Sequence, residues 1–246
     1  MIAYYGAMRT QVAIIGGGPS GLLLSQLLHT CGIESVVLER KTREYVLSRI
    51  RAGVLERGTV DLMRQAGCVE RLEREGLTHD GVNMAYDNDR FNIQFTEFVD
   101  KPVTVYGQTE VTRDLYDARE AAGGVIEFNV EDVVINDTDS SKPSVSYRVA
   151  GESRRIDCDF VAGCDGFHGV SRKTIPEDVR TEYEKVYPLA WMGVLSETPP
   201  INEELVYANS DRGFALCSMR GPAILGRAQA SRSRERCRRS RDRPVS

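Results

Sequence analysis

The chain has 246 residues, 41% of them hydrophobic, and a formal net charge of −4. That length allows one large domain or two small ones around an ordinary core, and the absence of any run of about 18 apolar residues excludes a membrane-spanning helix. Six scattered cysteines without a C-x-x-C pair and three unclustered histidines exclude a zinc site and a disulfide framework, and point to a reducing cytoplasm.

In chain order, Met1 to Ala7 is too short and uncharged for a secretory signal, and Met8 is the more natural start, so residues 1–7 read as an extension without a role. Val12, Ile14 and Ile15 form a short apolar run of the kind buried in a parallel sheet. Gly16-Gly17-Gly18-Pro19-Ser20-Gly21 follows, then an apolar helix from Leu22 to Thr30 and a second strand from Ser35 to Glu39. Gly16 permits a tight turn, Gly18 lets the backbone approach a pyrophosphate, and Gly21 lets the helix sit close to the strand. The helix start offers unpaired N–H groups and a partial positive charge to phosphates. Glu39, 18 residues after Gly21, stands where a carboxylate can accept hydrogen bonds from ribose hydroxyls. A glycine motif alone is weak; with the strand, the helix and the acid in place it specifies a dinucleotide site.

Beyond Glu39-Arg40 a polar loop leads to Arg49-Ile50-Arg51-Ala52-Gly53 and a helix around Thr59 to Gln65, closed at Ala66-Gly67. Residues 79–100 read as irregular or short strands, Val103 to Tyr106 as a strand, Gly107-Gln108 as a turn and Thr112 to Ala122 as a helix. Val125 to Phe128 and Val130 to Ile135 are β-rich, a hairpin returns along Ser144 to Val149, and Ile156 to Ala162 is a further strand before Asp165-Gly166. Around Asp178 the texture changes. Strands at Trp191 to Leu195, Leu205 to Tyr207 and Phe214 to Arg220 suggest a second, sheet-based unit. Residues 221–246 carry eight arginines against Glu235 and Asp242, a net of +6 that leaves −10 over the first 220 residues. This stretch reads as disordered. Its arginines could meet a polyanion, but no aromatic residue is interleaved to stack bases, so nucleic acid is not expected as a partner.

Several residues offer chemistry beside a plainer reading. Asp165 could meet the sugar-like chain of a flavin or a second nucleotide, and Asp-Gly is equally an ordinary turn. Arg49 and Arg51, two apart in an extended segment, point to one side and suit a pyrophosphate, or form a solvated basic loop. Ser218 and Arg220 share a strand face and could clamp a carboxylate, or simply lie at the surface. Tyr207 reads first as a packing residue with a wet tip.

Together the segments QVAIIGGGPSGLLL, VVLERKTREYVLSRIRAGVLERGTVDL, TVYGQTEVTRDL, DCDFVAGCDGFHGVSRKTIP and ELVYANSDRGFALCSMR resemble the FAD-dependent aromatic hydroxylases, specifically the 4-hydroxybenzoate 3-monooxygenase family, over Met8 to Arg220. The resemblance implies an α/β fold: a Rossmann-like FAD-binding domain of the glutathione-reductase type over 8–178, with residues 75–105 contributing to the substrate side, and the beginning of a β-sheet substrate domain over 179–220. It implies FAD as cofactor, NADPH as co-substrate, and a phenolic acid such as 4-hydroxybenzoate with O2 as substrates, giving 3,4-dihydroxybenzoate. Another phenolic acid, or a non-catalytic dinucleotide-binding fragment, are the alternatives. Gly16, Gly18, Ser20, Gly21 and Glu39 then match residues at the ADP part of FAD. Arg49, Arg51, Val54, Gln108 and Asp165 match its flavin side. Arg40, Tyr45, Arg51 and His168 match positions linked to NADPH. Tyr207 matches the tyrosine that bonds the substrate phenol, and Ser218 with Arg220 the carboxylate clamp. No metal is implied, and the whole family member is a cytoplasmic homodimer. Beyond Arg220 the resemblance stops, and Gly221 to Ser246 reads like an out-of-frame translation of a GC-rich gene. A chain so truncated is expected to retain FAD weakly and to hydroxylate negligibly.

Overall fold

All four residues of Val12–Ile15 and all five of Ser35–Glu39 are buried. Strands buried on both faces belong inside a covered sheet. These two are the central pair of a parallel sheet ordered Phe160–Gly163, Val12–Ile15, Ser35–Glu39, Val125–Phe128. The two-residue alternation divides their side chains. Val12, Ile14 and Val37 pack with Leu24 and Leu28 of the Pro19–Thr30 helix. Ala13, Ile15, Val36 and Leu38 pack with Val145, Tyr147 and Ile156 of an antiparallel meander, Glu131–Asn136, Ser144–Val149 and Glu152–Asp157. Each fully buried Val, Ile or Leu contributes about 1.5–3 kcal/mol, so this double burial fixes the strand that feeds the glycine turn.

The computed structural model describes residues 8–49, 51–87, 89–99, 101–188, 190–221 and 224–231, with backbone alone at 190, 220, 221 and 224–231. They divide into two compact units. The first holds the described residues up to Ala52, Gly58–Glu75 and Gly107–Thr181; the second holds Gly53–Arg57, Gly76–Tyr106 and those from Glu182 on.

In the first unit, the single strand expected over Ile156 to Ala162 is two. Glu152–Asp157 belongs to the meander and Phe160–Gly163 to the parallel sheet. The N-terminal segment makes the same crossing, Met8–Arg9 alongside Ile156 and Asp157, then Val12–Ile15 alongside Phe160–Gly163. At the crossing Thr10 N–H donates to Asp157 O (3.1 Å) and Phe160 N–H to Gln11 O (3.0 Å). Two chains change sheet together, so buried backbone groups keep their partners. The Gln108–Ala121 helix begins at the residue expected to lie in a turn, with Gly107 as its N-cap. Three short helices, Arg43–Leu47, Glu70–Glu75 and Val170–Thr174, had no counterpart in the sequence pattern. Arg43–Leu47 starts where the Thr42 hydroxyl accepts from Tyr45 N–H at 3.1 Å. Glu70–Glu75 is tied to the long helix by Arg71, 2.6 Å from Glu110 and 2.7 Å from Asp114.

The second unit is built on a six-stranded sheet ordered Ala190–Ser196, Ile224–Ser231, Gly213–Gly221, Leu205–Ser210, Gly81–Tyr86, Asp89–Gln94. Only Leu205–Ser210 and Gly81–Tyr86 pair in parallel. Val82, Val105 and Leu205 are the buried centre of its core, Val105 coming from a three-stranded sheet of Val54–Leu55, Val103–Val105 and Leu77–His79. Composition predicts disorder from Gly221 on; instead Ile224–Ser231 is an interior strand. Ladder pairing uses backbone groups that every residue but proline carries, so a polar, small-residue composition does not prevent it. The rest of the predicted tail, 222–223 and 232–246, lies outside the described residues. Among the described residues no helix is long and apolar enough to cross a membrane.

Candidate cofactor and substrate sites

Two glycines of the turn have no substitute. Gly16 sits at φ +109°, and a Cβ there would lie 2.4 Å from the Cys164 carbonyl oxygen. A Cβ on Gly21 would lie 2.0 Å from the Gly16 carbonyl oxygen, which is how closely the helix approaches the turn. Gly18 differs: its φ is −79° and a Cβ there would meet nothing within 4 Å. It faces open space, a cavity of about 600 Å³ lined entirely by first-unit residues.

The cavity gathers sequence-predicted residues from distant stretches. Gly16, Gly18 and Glu39 line it; so do Arg40, Tyr45, Arg49 and Arg51. Gln108, at the start of its helix, and Asp165 and His168 complete the set. Ser20 is exposed in the first helical turn and is not among the lining residues, and Gly21 is buried in the helix–strand contact. Val54 is not in the lining either; it belongs to the second unit and pairs with Val105. Ile50, between the two arginines, lies outside the described residues.

The geometry gives two of these residues structural tasks. Glu39 is buried; its Oε2 accepts the Gly17 N–H at 2.8 Å and its Oε1 the Lys41 N–H at 2.9 Å. Each carboxylate oxygen accepts more than one bond, so capacity remains for ribose hydroxyls. Asp165 Oδ2 accepts the Ser171 N–H at 3.0 Å, in the first turn of the Val170–Thr174 helix. Tyr45 is flanked by cations, Lys41 Nζ 5.3 Å and the Arg49 guanidinium 5.8 Å from its ring centre. Burial, with Asp165 adding to it, pushes the Cys164 thiol up, so this lining residue stays a neutral thiol.

Sequence reasoning missed Val130 to Val133, which also line the cavity. Asp132 stands at φ +51° in a strand whose register shifts between Glu131 and Val134. Such bulges gather beside functional sites, but the only trace in the sequence is the acidic Glu131-Asp132 interrupting a β-rich run. A φ-constrained glycine turn, a helix start, three arginines and a buried acid around one cavity fit the diphosphate and sugar of a dinucleotide.

In the second unit Tyr207 pairs with Leu216, so the two-residue period puts Ser218 on Tyr207's face of the sheet. Ser218 is buried, and the Tyr207 ring centre lies 5.8 Å from that of Phe214. The backbone register shifts between Met219 and Gly221, so simple alternation does not carry on to Arg220, whose side chain lies outside the described residues. This unit also buries His79 completely. Among the described residues neither ring nitrogen has a hydrogen-bond partner, although Nδ1 lies 3.3 Å from Glu204 Oε2. Burial lowers its pKa, against the opposing pull of Glu204 and Asp80, so the ring is neutral at pH 7 and the contact is no ion pair. A lone histidine without metal-ligand spacing gave the sequence no signal for it.

The family described as FAD binding domain matches residues 9–244. The chain belongs to that FAD binding domain family. The match crosses Gly221, where composition alone suggests an unrelated tail. The chain is 50% identical over 214 residues to p-hydroxybenzoate hydroxylase from Acinetobacter baylyi, covering 87% of this chain and 53% of that one. It is 24% identical over 208 residues to a 3-(3-hydroxy-phenyl)propionate/3-hydroxycinnamic acid hydroxylase from Burkholderia cenocepacia, covering 82% and 38%. The chain thus spans about half of the first relative's length and less of the second's. Among solved structures, p-nitrophenol 4-monooxygenase from Pseudomonas putida superposes with a TM-score of 0.80 at 16% identity, over 95% of this chain and 61% of that one. The flavin-dependent monooxygenases' FAD-binding fold is therefore this chain's fold, Rossmann-like and α/β.

Proposed function

We propose that this chain is the FAD-holding part, with much of the substrate sheet, of a monooxygenase that converts 4-hydroxybenzoate to 3,4-dihydroxybenzoate using NADPH and O2. One observation carries it: 50% identity over 214 residues to p-hydroxybenzoate hydroxylase. FAD, when bound, supplies hydride acceptance and oxygen activation; the protein supplies binding, orientation and electrostatics. Gly16, Gly18 and the helix start hold the diphosphate, Glu39 the adenosine ribose, and Arg49, Arg51, Gln108 and Asp165 the part nearer the flavin. Ser20 and Val54 join as cofactor contacts by family resemblance alone. Arg40, Tyr45, Arg51 and His168 receive NADPH. Tyr207 accepts a hydrogen bond from the substrate's 4-hydroxyl and helps draw its proton away by passing on its own hydroxyl proton, which makes the neighbouring ring carbon electron-rich. Ser218 and Arg220 hold the carboxylate and so choose which end of the ring faces Tyr207. The same proposal places the whole enzyme in the cytoplasm as a homodimer.

The test is ligand recognition by the FAD-loaded chain, read from the flavin absorption band. Titration with 4-hydroxybenzoate should give a saturable change that Ser218→Ala weakens by about tenfold, the worth of one charge-assisted hydrogen bond. A response to 3-(3-hydroxyphenyl)propionate and none to 4-hydroxybenzoate would move the proposal to another phenolic acid.

A further inference from the structure

Gly17 is gripped from both sides. Its N–H donates to Glu39 Oε2 at 2.8 Å, and its carbonyl accepts the Tyr116 hydroxyl at 2.7 Å, both bonds buried. Glycine lets a peptide plane turn over at little steric cost, so a run of three glycines does not by itself decide which way its N–H groups face. The decision is made from outside the loop. The Gly16 N–H donates to Leu38 O at 2.8 Å and the Leu22 N–H to Gly18 O at 3.0 Å, which pins the two ends. Between them the Gly17–Gly18 peptide is trans, so its N–H points opposite to the carbonyl that Tyr116 holds in the interior. Gly18 lines the cavity.

We propose that the Tyr116 hydroxyl is a positioning group for the cofactor's diphosphate, fixing the Gly17–Gly18 peptide so that the Gly18 N–H, and not the Gly17 carbonyl, serves the phosphate. We rest this on the proposal that the FAD diphosphate lies over Gly16 to Gly18. With the plane reversed, a carbonyl oxygen would replace the N–H and repel the anion. The phenol suits the task. Its ring is 2% exposed, held against Phe128 at 5.7 Å with the Arg43 guanidinium 5.4 Å from its centre. Burial, with Glu39 adding to it, raises its pKa far above the ordinary phenol range, so it remains a donor at any working pH. A phenylalanine would pack equally well there; the hydroxyl's bond is to one backbone oxygen 99 positions away.

The experiment uses the full chain and three ligands: FAD by quenching of flavin fluorescence, ADP and adenosine by competition. Tyr116→Phe keeps the ring, and Tyr116→Met serves as a second variant that fills the volume without a hydroxyl. Both should weaken FAD and ADP by about tenfold, in line with one charge-assisted bond to phosphate, and leave adenosine within about twofold. An equal loss for adenosine would make the role merely structural and overturn the assignment, as would FAD binding within about twofold of wild type. Gly18→Val separates the two proposals, because a Cβ there meets no described atom within 4 Å beyond its chain neighbours and the added bulk stands at the cavity edge. If Gly18→Val loses FAD while Tyr116→Phe keeps it, Tyr116 alone is wrong; if Gly18→Val keeps FAD, the diphosphate is elsewhere and both fail.

Discussion

At the scale of single residues, legibility depended on whether a side chain's task leaves a trace in residue type. Gly16 and Gly21 were readable because only glycine tolerates φ +109° or a carbonyl oxygen 2.0 Å from a would-be Cβ. Glu39 was readable by spacing, but its bonds to Gly17 and Lys41 N–H were not, since a backbone donor has no sequence signature. Tyr116 and His79 went unread for a related reason: a helical tyrosine and a solitary histidine look like core. His79 yields a prediction of its own. Burial depresses its pKa more than Glu204 and Asp80 raise it, so the unfolded chain takes up the proton first. Its contribution to stability is therefore complete above about pH 6.5 and is lost as pH falls from there towards the folded-state value. Urea unfolding of wild type and His79→Gln across that window should show the midpoint falling more steeply in wild type. Parallel slopes would mean that His79 titrates alike in both states.

Among elements, the strands with clear alternation or continuous apolar runs were found near their true positions, whereas breaks and pairings were not. Nothing in Ile156 to Ala162 marks Cys158 and Asp159 as the point where the chain leaves one sheet for another; the partner crossing at Thr10 and Gln11 decides it. Ile224–Ser231 is the larger surprise. Its arginine, glutamine and small residues suggested disorder, yet the backbone pairs with Gly213–Gly221 on one side and Ala190–Ser196 on the other. Ala228 stands opposite Leu216 and Gly193. Ala228→Pro removes a ladder donor from an interior strand, a position proline does not tolerate. Amide exchange in Ala190–Ser196 should then accelerate by about tenfold or more, the effect of losing about 1.4 kcal/mol of local stability. Unchanged protection there would show that the strand does not hold its neighbour.

For the molecule as a whole, the central proposal is that the diphosphate and adenosine ribose of FAD lie in one cavity, and that cavity is walled by first-unit residues alone. The sequence located part of that wall, Gly16, Gly18, Glu39, Arg40, Tyr45, Arg49, Arg51, Gln108, Asp165 and His168, through the glycine turn, the terminal acid and the family resemblance. It missed Val130 to Val133, which a strand bulge and not any motif brings into the cavity. The decisive measurement is an FAD titration of the purified chain by flavin fluorescence, repeated in excess ADP and with Gly18→Val. Saturable quenching that ADP reverses and Gly18→Val abolishes is the outcome expected. A chain that leaves FAD fluorescence unchanged, or binds it with no competition from ADP, would contradict the assignment.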